Sequence, residues 1–321
     1  MLKQIEFQNL WQFDKPKLFS VDKLTAIQGG IASGKTSFLK VLYFLKGLSI
    51  HPKRTRIEEL DFEPFTYTRA SSIGVEFETD YGSYNYFVEF KNTSILNETL
   101  KLNSKIVYTR QDNDLDFGSK GLNKKMQRLK FNMLENRTVL GAYNVTNVDN
   151  EILLDVRRWF SNYFMGSSVN DFINAEKVLK ILQSDKWVKV RVLHELNKLG
   201  FEVINIDIRG GDKMKSEYYS YDLPDIIKDV FTHVYTGYVV YSDNRIVPFK
   251  KESKSIQRLI EVLTMLYHSI QQGSMLVIDD IDLYLPSGIV DKIKDKFIEL
   301  SDDTQQFIYT KTTNDKKLVL I

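Results

Sequence analysis

The octapeptide Gly29-Gly30-Ile31-Ala32-Ser33-Gly34-Lys35-Thr36 constrains this chain more than any other stretch. An apolar segment, Leu24-Thr25-Ala26-Ile27, runs into it, and Phe38, Leu39, Val41, Leu42 and Leu45 follow at helical spacing. Gly-x4-Gly-Lys-Thr set between a strand and a helix is the P-loop, or Walker A, pattern. The glycines let successive backbone N–H groups curl around a phosphate, and the helix N-terminus adds partial positive charge. Gly29, Gly30, Ala32, Ser33, Gly34, Lys35, Thr36 and Ser37 are therefore the expected nucleotide-binding residues, with ATP and Mg²⁺ as ligands. Within that set Lys35 reaches the β- and γ-oxygens and the Thr36 hydroxyl ligates Mg²⁺. An ordinary glycine turn would leave the flanking strand and helix unexplained.

A second apolar run, Met275-Leu276-Val277-Ile278, ends in Asp279-Asp280, as a buried central parallel strand with acids at its carboxyl end would. Asp279 fits the Walker B acid that holds Mg²⁺, and Asp280 sits where a general base would meet an attacking water. Lys35 and Asp280 are the candidate catalytic residues, Thr36 and Asp279 the candidate metal ligands. Both acids could instead cap a helix after the strand, a reading at least as good for Asp282. Most of the chain separates Lys35 from Asp279, unlike compact P-loop kinases and small GTPases.

Composition removes other chemistries. Without cysteine there is no disulfide framework, Cys-ligated zinc, iron–sulfur cluster or thiol nucleophile, and four scattered His make no metal cage. Such a composition fits a cytoplasmic setting. No apolar h-region follows Met1-Leu2-Lys3-Gln4, and no stretch approaches the ~20 apolar residues that span a bilayer, so neither secretion nor membrane insertion is expected. A formal charge of +2 supplies no global field for nucleic acid. The local candidate is Lys120 to Arg137, a basic loop or helix that includes Lys124, Lys125, Arg128 and Lys130 and whose single acid is Glu135. A solvated face and a grip on DNA or RNA phosphates both fit it.

Between these landmarks, Ile73, Val75, Phe77 and then Tyr84, Tyr86, Val88, Phe90 alternate around Asp80-Tyr81-Gly82-Ser83, which predicts a β-hairpin whose aromatics serve either as core or as a base-stacking platform. Ile106 to Tyr108 reads as a further strand, Glu151 to Gly200 as helical, Phe201 to Arg209 as a strand, and Phe231 to Val247 as a hairpin over Ser242-Asp243-Asn244. Ile256, Leu259, Ile260, Leu263, Leu266, Tyr267 and Ile270 define an amphipathic helix closed by Gly273. A helix from Val290 to Leu300 and a strand from Gln306 to Thr310 complete an α/β alternation.

Glu252-Ser253-Lys254-Ser255-Ile256-Gln257-Arg258-Leu259, the helix after it, and Val277-Ile278-Asp279-Asp280-Ile281-Asp282 together resemble the signature-to-Walker-B stretch of ABC-type AAA ATPases. These are stand-alone relatives of the RecF, SMC and OLD-nuclease ATPases, many of them linked to anti-phage and toxin–antitoxin modules. The resemblance implies an α/β fold, an ABC-type P-loop NTPase core with a β-lobe and a helical insert. One composite domain is expected, with the core from 1–60 and 245–321, the β-lobe at 61–118, the insert at 119–200 and a strand-rich return at 201–248. It also implies a homodimer, or a pair with a related ATPase subunit, that sandwiches nucleotide and acts on a partner effector. Ser253 would touch the γ-phosphate held by the opposite subunit, or simply cap the helix that follows it. Four positions depart from the family pattern. Ser255 replaces the signature glycine, Asp280 replaces a glutamate, Leu285-Pro286 lacks the His before Pro, and Ile308-Tyr309-Thr310-Lys311-Thr312 has Thr in place of a switch His. The expected activity is an ATP-binding, slowly hydrolysing switch in phage defence. A DNA-binding maintenance ATPase and a nucleotide-binding scaffold without turnover are the alternatives. With the last expected strand close to Ile321, no C-terminal nuclease domain of the OLD type is expected in this sequence.

Overall fold

A computed structural model describes residues 1–50, 57, 60, 62–118, 134–143, 149–166, 175–214, 231–313 and 318–320. The chain forms two compact units, Met1–Val169 with Gln272–Ile281 and Ile298–Ile321, and Asn170–Gln271 with Asp282–Phe297. In chain order the elements are β1 (Leu2–Gln8), β2 (Lys17–Ser20), β3 (Leu24–Gly29), α1 (Lys35–Ile50), β4 (Ser71–Thr79), β5 (Gly82–Lys91), β6 (Ser94–Leu102), β7 (Lys105–Gln111) and β8 (Asp114–Phe117). Then come α2 (Val139–Tyr143), α3 (Glu151–Arg158), a π-helical turn (Trp159–Tyr163), β9 (Phe164–Gly166), α4 (Ala175–Ser184), α5 (Lys186–Lys198), β10 (Val203–Met214), β11 (Phe231–Tyr241) and β12 (Ile246–Pro248). The chain closes with α6 (Lys254–Gln272), β13 (Met275–Ile278), α7 (Ser287–Leu300), β14 (Phe307–Thr312) and β15 (Val319–Leu320).

The first unit carries two sheets. One has the order β15-β3-β14-β13-β9, with β3, β14, β13 and β9 all parallel and β15 antiparallel to β3. β13 is buried along its whole length, as its unbroken apolar run requires. β14 lies between the strand that leads into the P-loop and the strand that ends in Asp279, and because all three run parallel their carboxyl ends meet at one edge. The other sheet is an antiparallel meander, β2-β1-β4-β5-β6-β7-β8. The predicted hairpin is β4 with β5, its turn narrowed to Asp80-Tyr81 because Thr79 pairs with Gly82. Phe77, Tyr84, Tyr86 and Phe90 are buried, so these four aromatics of the hairpin are core, whereas Tyr81 at the turn is half exposed. α1 lays Phe38, Leu39, Leu42 and Leu45 into the same core, with the Phe38 ring edge-on to Phe19 at 5.0 Å. Gln306, fully buried at the start of β14, joins the two sheets: its amide donates to Leu2 O at 2.8 Å and accepts from Leu2 N at 2.7 Å.

A helical reading of residues 151–200 is corrected at 159–166. The π turn and β9 interrupt it, and β9 pairs in parallel with β13 through Met275↔Phe164 to Val277↔Gly166. A strand of three residues is too short for its periodicity to show. The basic segment with Lys124, Lys125, Arg128 and Lys130 lies outside the described residues.

The second unit holds α4, α5, α6 and most of α7 with a three-stranded antiparallel sheet, β10-β11-β12, against which α4 and α5 pack. Gly237 on β11 is required by close approach, since a Cβ there would stand 2.4 Å from a Leu179 methyl of α4. The Asp185 carboxylate caps α5 by accepting from Val188 N at 3.1 Å, and Gly200 ends that helix at a φ of +85°. Among the described residues no helix is long and apolar enough to cross a membrane.

A buried charged network pins residues 134–139, where the basic segment ends. Glu98 of β6, fully buried, accepts from Tyr86 Oη at 3.0 Å, Tyr108 Oη at 2.8 Å and Val139 N at 2.7 Å, and faces Arg110 at 4.0 Å. Arg110 in turn donates to the carbonyls of Asp112, Leu134 and Arg137. Burial pushes the Glu98 carboxyl above its ordinary range, opposed first by the Val139 amide and then by the Arg110 charge. Removing one partner strands the other, so Glu98→Ala should cost about 3–5 kcal/mol. In urea titrations the midpoint should fall with an unchanged slope; a loss below about 1 kcal/mol would mean that the network tolerates an unpaired Arg110.

Candidate functional site

The P-loop joins β3 to α1 in the first unit. Two of its residues take left-handed backbone, Ala32 with φ +62° and Gly34 with φ +101°. Gly34 has a further reason to be glycine: a Cβ there would lie 2.9 Å from the Phe13 ring. The loop with Gln12, Ser37, Asp280 and Thr312 encloses a cleft of about 230 Å³. Ile31 stands at its lip, 94% exposed. Lys35 is buried, and its ammonium donates to Gly29 O at 2.9 Å and Gly30 O at 3.0 Å, so the cation is folded onto the carbonyls of its own loop.

Asp279 reaches the same edge from β13. Its Oδ2 accepts from Thr36 Oγ1 at 3.0 Å and its Oδ1 from Thr310 Oγ1 at 2.6 Å. Asp280 follows with φ +43°, and its backbone N–H donates to Thr310 Oγ1 at 2.6 Å. Tyr43 of α1 feels this carboxylate as well: burial, reinforced by the Asp279 charge, pushes the phenol well above its ordinary range, so it stays neutral.

These residues fit Mg²⁺ and a triphosphate. Thr36 Oγ1 and Asp279 Oδ2 are hard oxygen ligands 3.0 Å apart, the short protein donor set that Mg²⁺ uses when phosphates and waters complete its shell. Among the described residues no group of three or more His, Cys, Asp or Glu forms a cage. Ser33 Oγ, beside the cleft, is buried with no hydrogen-bond partner among the described residues, a polar atom suited to a phosphate oxygen.

Of the residues expected from sequence, Gly34, Lys35, Thr36, Ser37, Ala32, Ser33 and Asp280 line one cleft. Gly29 and Gly30 hold the Lys35 ammonium, and Asp279 bonds to Thr36. Ser253 belongs to the second unit, where its hydroxyl accepts from Ile256 N at 3.3 Å as the cap of α6. Asp282 caps no helix; its carbonyl closes a turn with Leu285 N at 3.2 Å. His268 lies half-buried on α6, its imidazole pushed below its ordinary range by burial. Sequence reasoning missed Gln12, Thr312 and above all Thr310 as parts of the site. The only trace of the two threonines was their place at the end of a strand, where a switch His was expected.

The chain matches the family described as "AAA domain, putative AbiEii toxin, Type IV TA system" over residues 24–310. Among solved structures it is similar to an SmcHead bound to the C-winged helix domain of ScpA, at 11% identity and a TM-score of 0.56, covering 100% of this chain and 98% of that one. It is similar also to an Smc head domain with an extended coiled coil derived from Pyrococcus furiosus, at 13% identity and a TM-score of 0.50, covering 100% and 96%. A likeness to the recombination mediator RecF bound to ATP has a TM-score of 0.46 at 13% identity, covers 100% and 96%, and carries no further weight. At these identities the likeness is one of fold. No curated protein sequence matches the chain.

Lys35→Ala should lower ATP affinity by about 100-fold, the order expected when a charged donor to phosphate is lost. The fold should survive, because the ammonium bonds only its own loop. Calorimetric titration with circular dichroism measures both, and unchanged affinity in a folded variant would remove Lys35 from the phosphate site.

Proposed function

The chain belongs to this AAA-domain ATPase family, with an ABC-type P-loop fold that it shares with Smc heads, and from that premise we propose that it is a nucleotide-driven switch. It binds Mg-ATP, pairs with a second copy or a related ATPase subunit, hydrolyses slowly and thereby controls a partner effector. The observation that carries this reading is the convergence of Lys35, Thr36, Asp279 and Asp280 at the carboxyl edge of one parallel sheet. Ligands of parallel α/β sheets bind at that edge. Thr36 and Asp279 would hold Mg²⁺, which offsets the charge of the phosphates when bound. Lys35, released from Gly29 and Gly30, would take the β- and γ-oxygens.

For hydrolysis, a water attacks the γ-phosphorus, its proton passes to the Asp280 carboxylate, and the bond to the β–γ bridging oxygen breaks to release ADP. Asp280 is one methylene shorter than the glutamate of the family pattern. That shortens its reach by roughly 1.5 Å, and misplacement near 1 Å costs on the order of 10²-fold. Ground-state binding would rest on the P-loop, Thr36 and Asp279 and not on the reach of Asp280, so ATP binding with slow turnover is the expected combination. Ser253 would meet the γ-phosphate across the pair; the resemblance of Glu252–Leu259 to a signature motif supports this. A partner effector, and a place in phage defence, are supported by the toxin–antitoxin system in the family's description.

Two outcomes are expected. ATP with Mg²⁺ should move the protein to a dimer by light scattering, and Ser253→Arg should block that shift; a mass insensitive to nucleotide would end the sandwich reading. Phosphate release should run well below the ~10 s⁻¹ enzyme median. It should rise in Asp280→Glu, whereas fast wild-type turnover would exclude Asp280 as a short base.

A further inference from the structure

Thr310 is fully buried in the middle strand of the three that build the site. Its hydroxyl has one proton and two acceptor positions. The proton goes to Asp279 Oδ1 at 2.6 Å, since the other acceptor within reach, Asp280 Oδ1, stands at 3.5 Å. One acceptor position takes the Asp280 N–H at 2.6 Å, and the Thr310 carbonyl takes the N–H of Ile281 at 3.0 Å. A single residue thus holds the whole turn from 279 to 281, including Asp280 in a left-handed backbone conformation that a residue with a Cβ adopts at some cost. That conformation fixes where the Asp280 side chain leaves the chain, and Asp280 lines the cleft.

We propose that Thr310 is a positioning residue of the nucleotide site: its hydroxyl orients the Asp279 carboxylate toward Mg²⁺ and latches the strained turn that delivers Asp280 to the cleft. Thr310 holds one oxygen of the carboxylate and leaves the other, Oδ2, turned to Thr36. Without the hydroxyl, Asp279 Oδ1 and the Asp280 N–H each lose a buried partner, the carboxylate can rotate about its χ2, and the turn loses the bond that offsets its backbone cost. The proposal rests on the nucleotide reading above, but the latch belongs to the nucleotide-free protein.

Thr310→Val keeps the volume and removes the hydroxyl; Thr310→Ser keeps the hydroxyl. ATP affinity is measured with Mg²⁺ and with EDTA. In EDTA the wild type and both variants should bind alike, because the P-loop is untouched. With Mg²⁺ the added affinity should drop about 10-fold in Thr310→Val and return in Thr310→Ser. In the nucleotide-free protein the Asp280 amide should exchange with deuterium faster in Thr310→Val than in Thr310→Ser. A residue that merely packs would lower melting temperature while leaving the Mg²⁺ increment and the Asp280 exchange rate as in the wild type, and that outcome overturns the proposal. If the wild type binds no ATP, the nucleotide reading fails and the Mg²⁺ role fails with it; accelerated exchange in Thr310→Val then still supports the latch, and unchanged exchange overturns it. Should Thr310→Val not fold, Thr310→Cys, with a weak S–H donor of similar volume, takes its place in the same comparison.

Discussion

The two oxygens of one carboxylate organise this site. Asp279 accepts from Thr36 at the start of a helix and from Thr310 in a neighbouring strand, and so joins three elements that are remote in sequence. This depends on strand order. With β14 set between β3 and β13, the carboxylate cannot meet the P-loop through backbone pairing, and side-chain bonds span the gap. Everything that could touch a triphosphate is then referenced to the rigid parallel sheet rather than to the loops alone.

Much of this was legible from the sequence because the residues concerned are under dense local constraint. Gly34 must supply a positive φ and room for Phe13, Lys35 and Thr36 must follow it, and an unbroken apolar run must precede Asp279. Each requirement leaves few residue types to choose from. Thr310 left no such mark. A threonine at the end of a buried strand is ordinary by β-propensity, and what distinguishes it is the identity of its neighbours across the sheet. β9 escaped for a different reason, since its pairing with β13 was fixed by parallel register and not by its own short pattern. Gln12 became visible only when the loop after β1 was seen to border the cleft.

The threonines of β14 also change the meaning of a departure. Where a switch His was expected, the sequence offers Thr310 and Thr312, and the structure separates their environments: Thr312 lines the cleft, whereas Thr310 is sealed beneath it. The buried charges of the antiparallel sheet show the same economy of placement. Arg110 gives its donors to the carbonyls of 112, 134 and 137, and Glu98 takes the Val139 amide beside two tyrosine hydroxyls, so a pair that reads as an electrostatic anomaly ties the segment 134–139 to the sheet.

The resting position of Lys35 has a thermodynamic corollary. Its ammonium is already solvated by two carbonyls of its own loop, so an arriving phosphate does not meet a bare cation; it must exchange with ligands that the protein itself provides. Occupancy is then a competition within one coordination shell, in which the loop's carbonyls act as a tethered rival of fixed local concentration. A single phosphate offers the ammonium little more than it already has. On the proposed reading, a polyphosphate that also engaged Thr36 and Ser33 would change the balance, and the loop would grade anions by how many of its groups they engage at once.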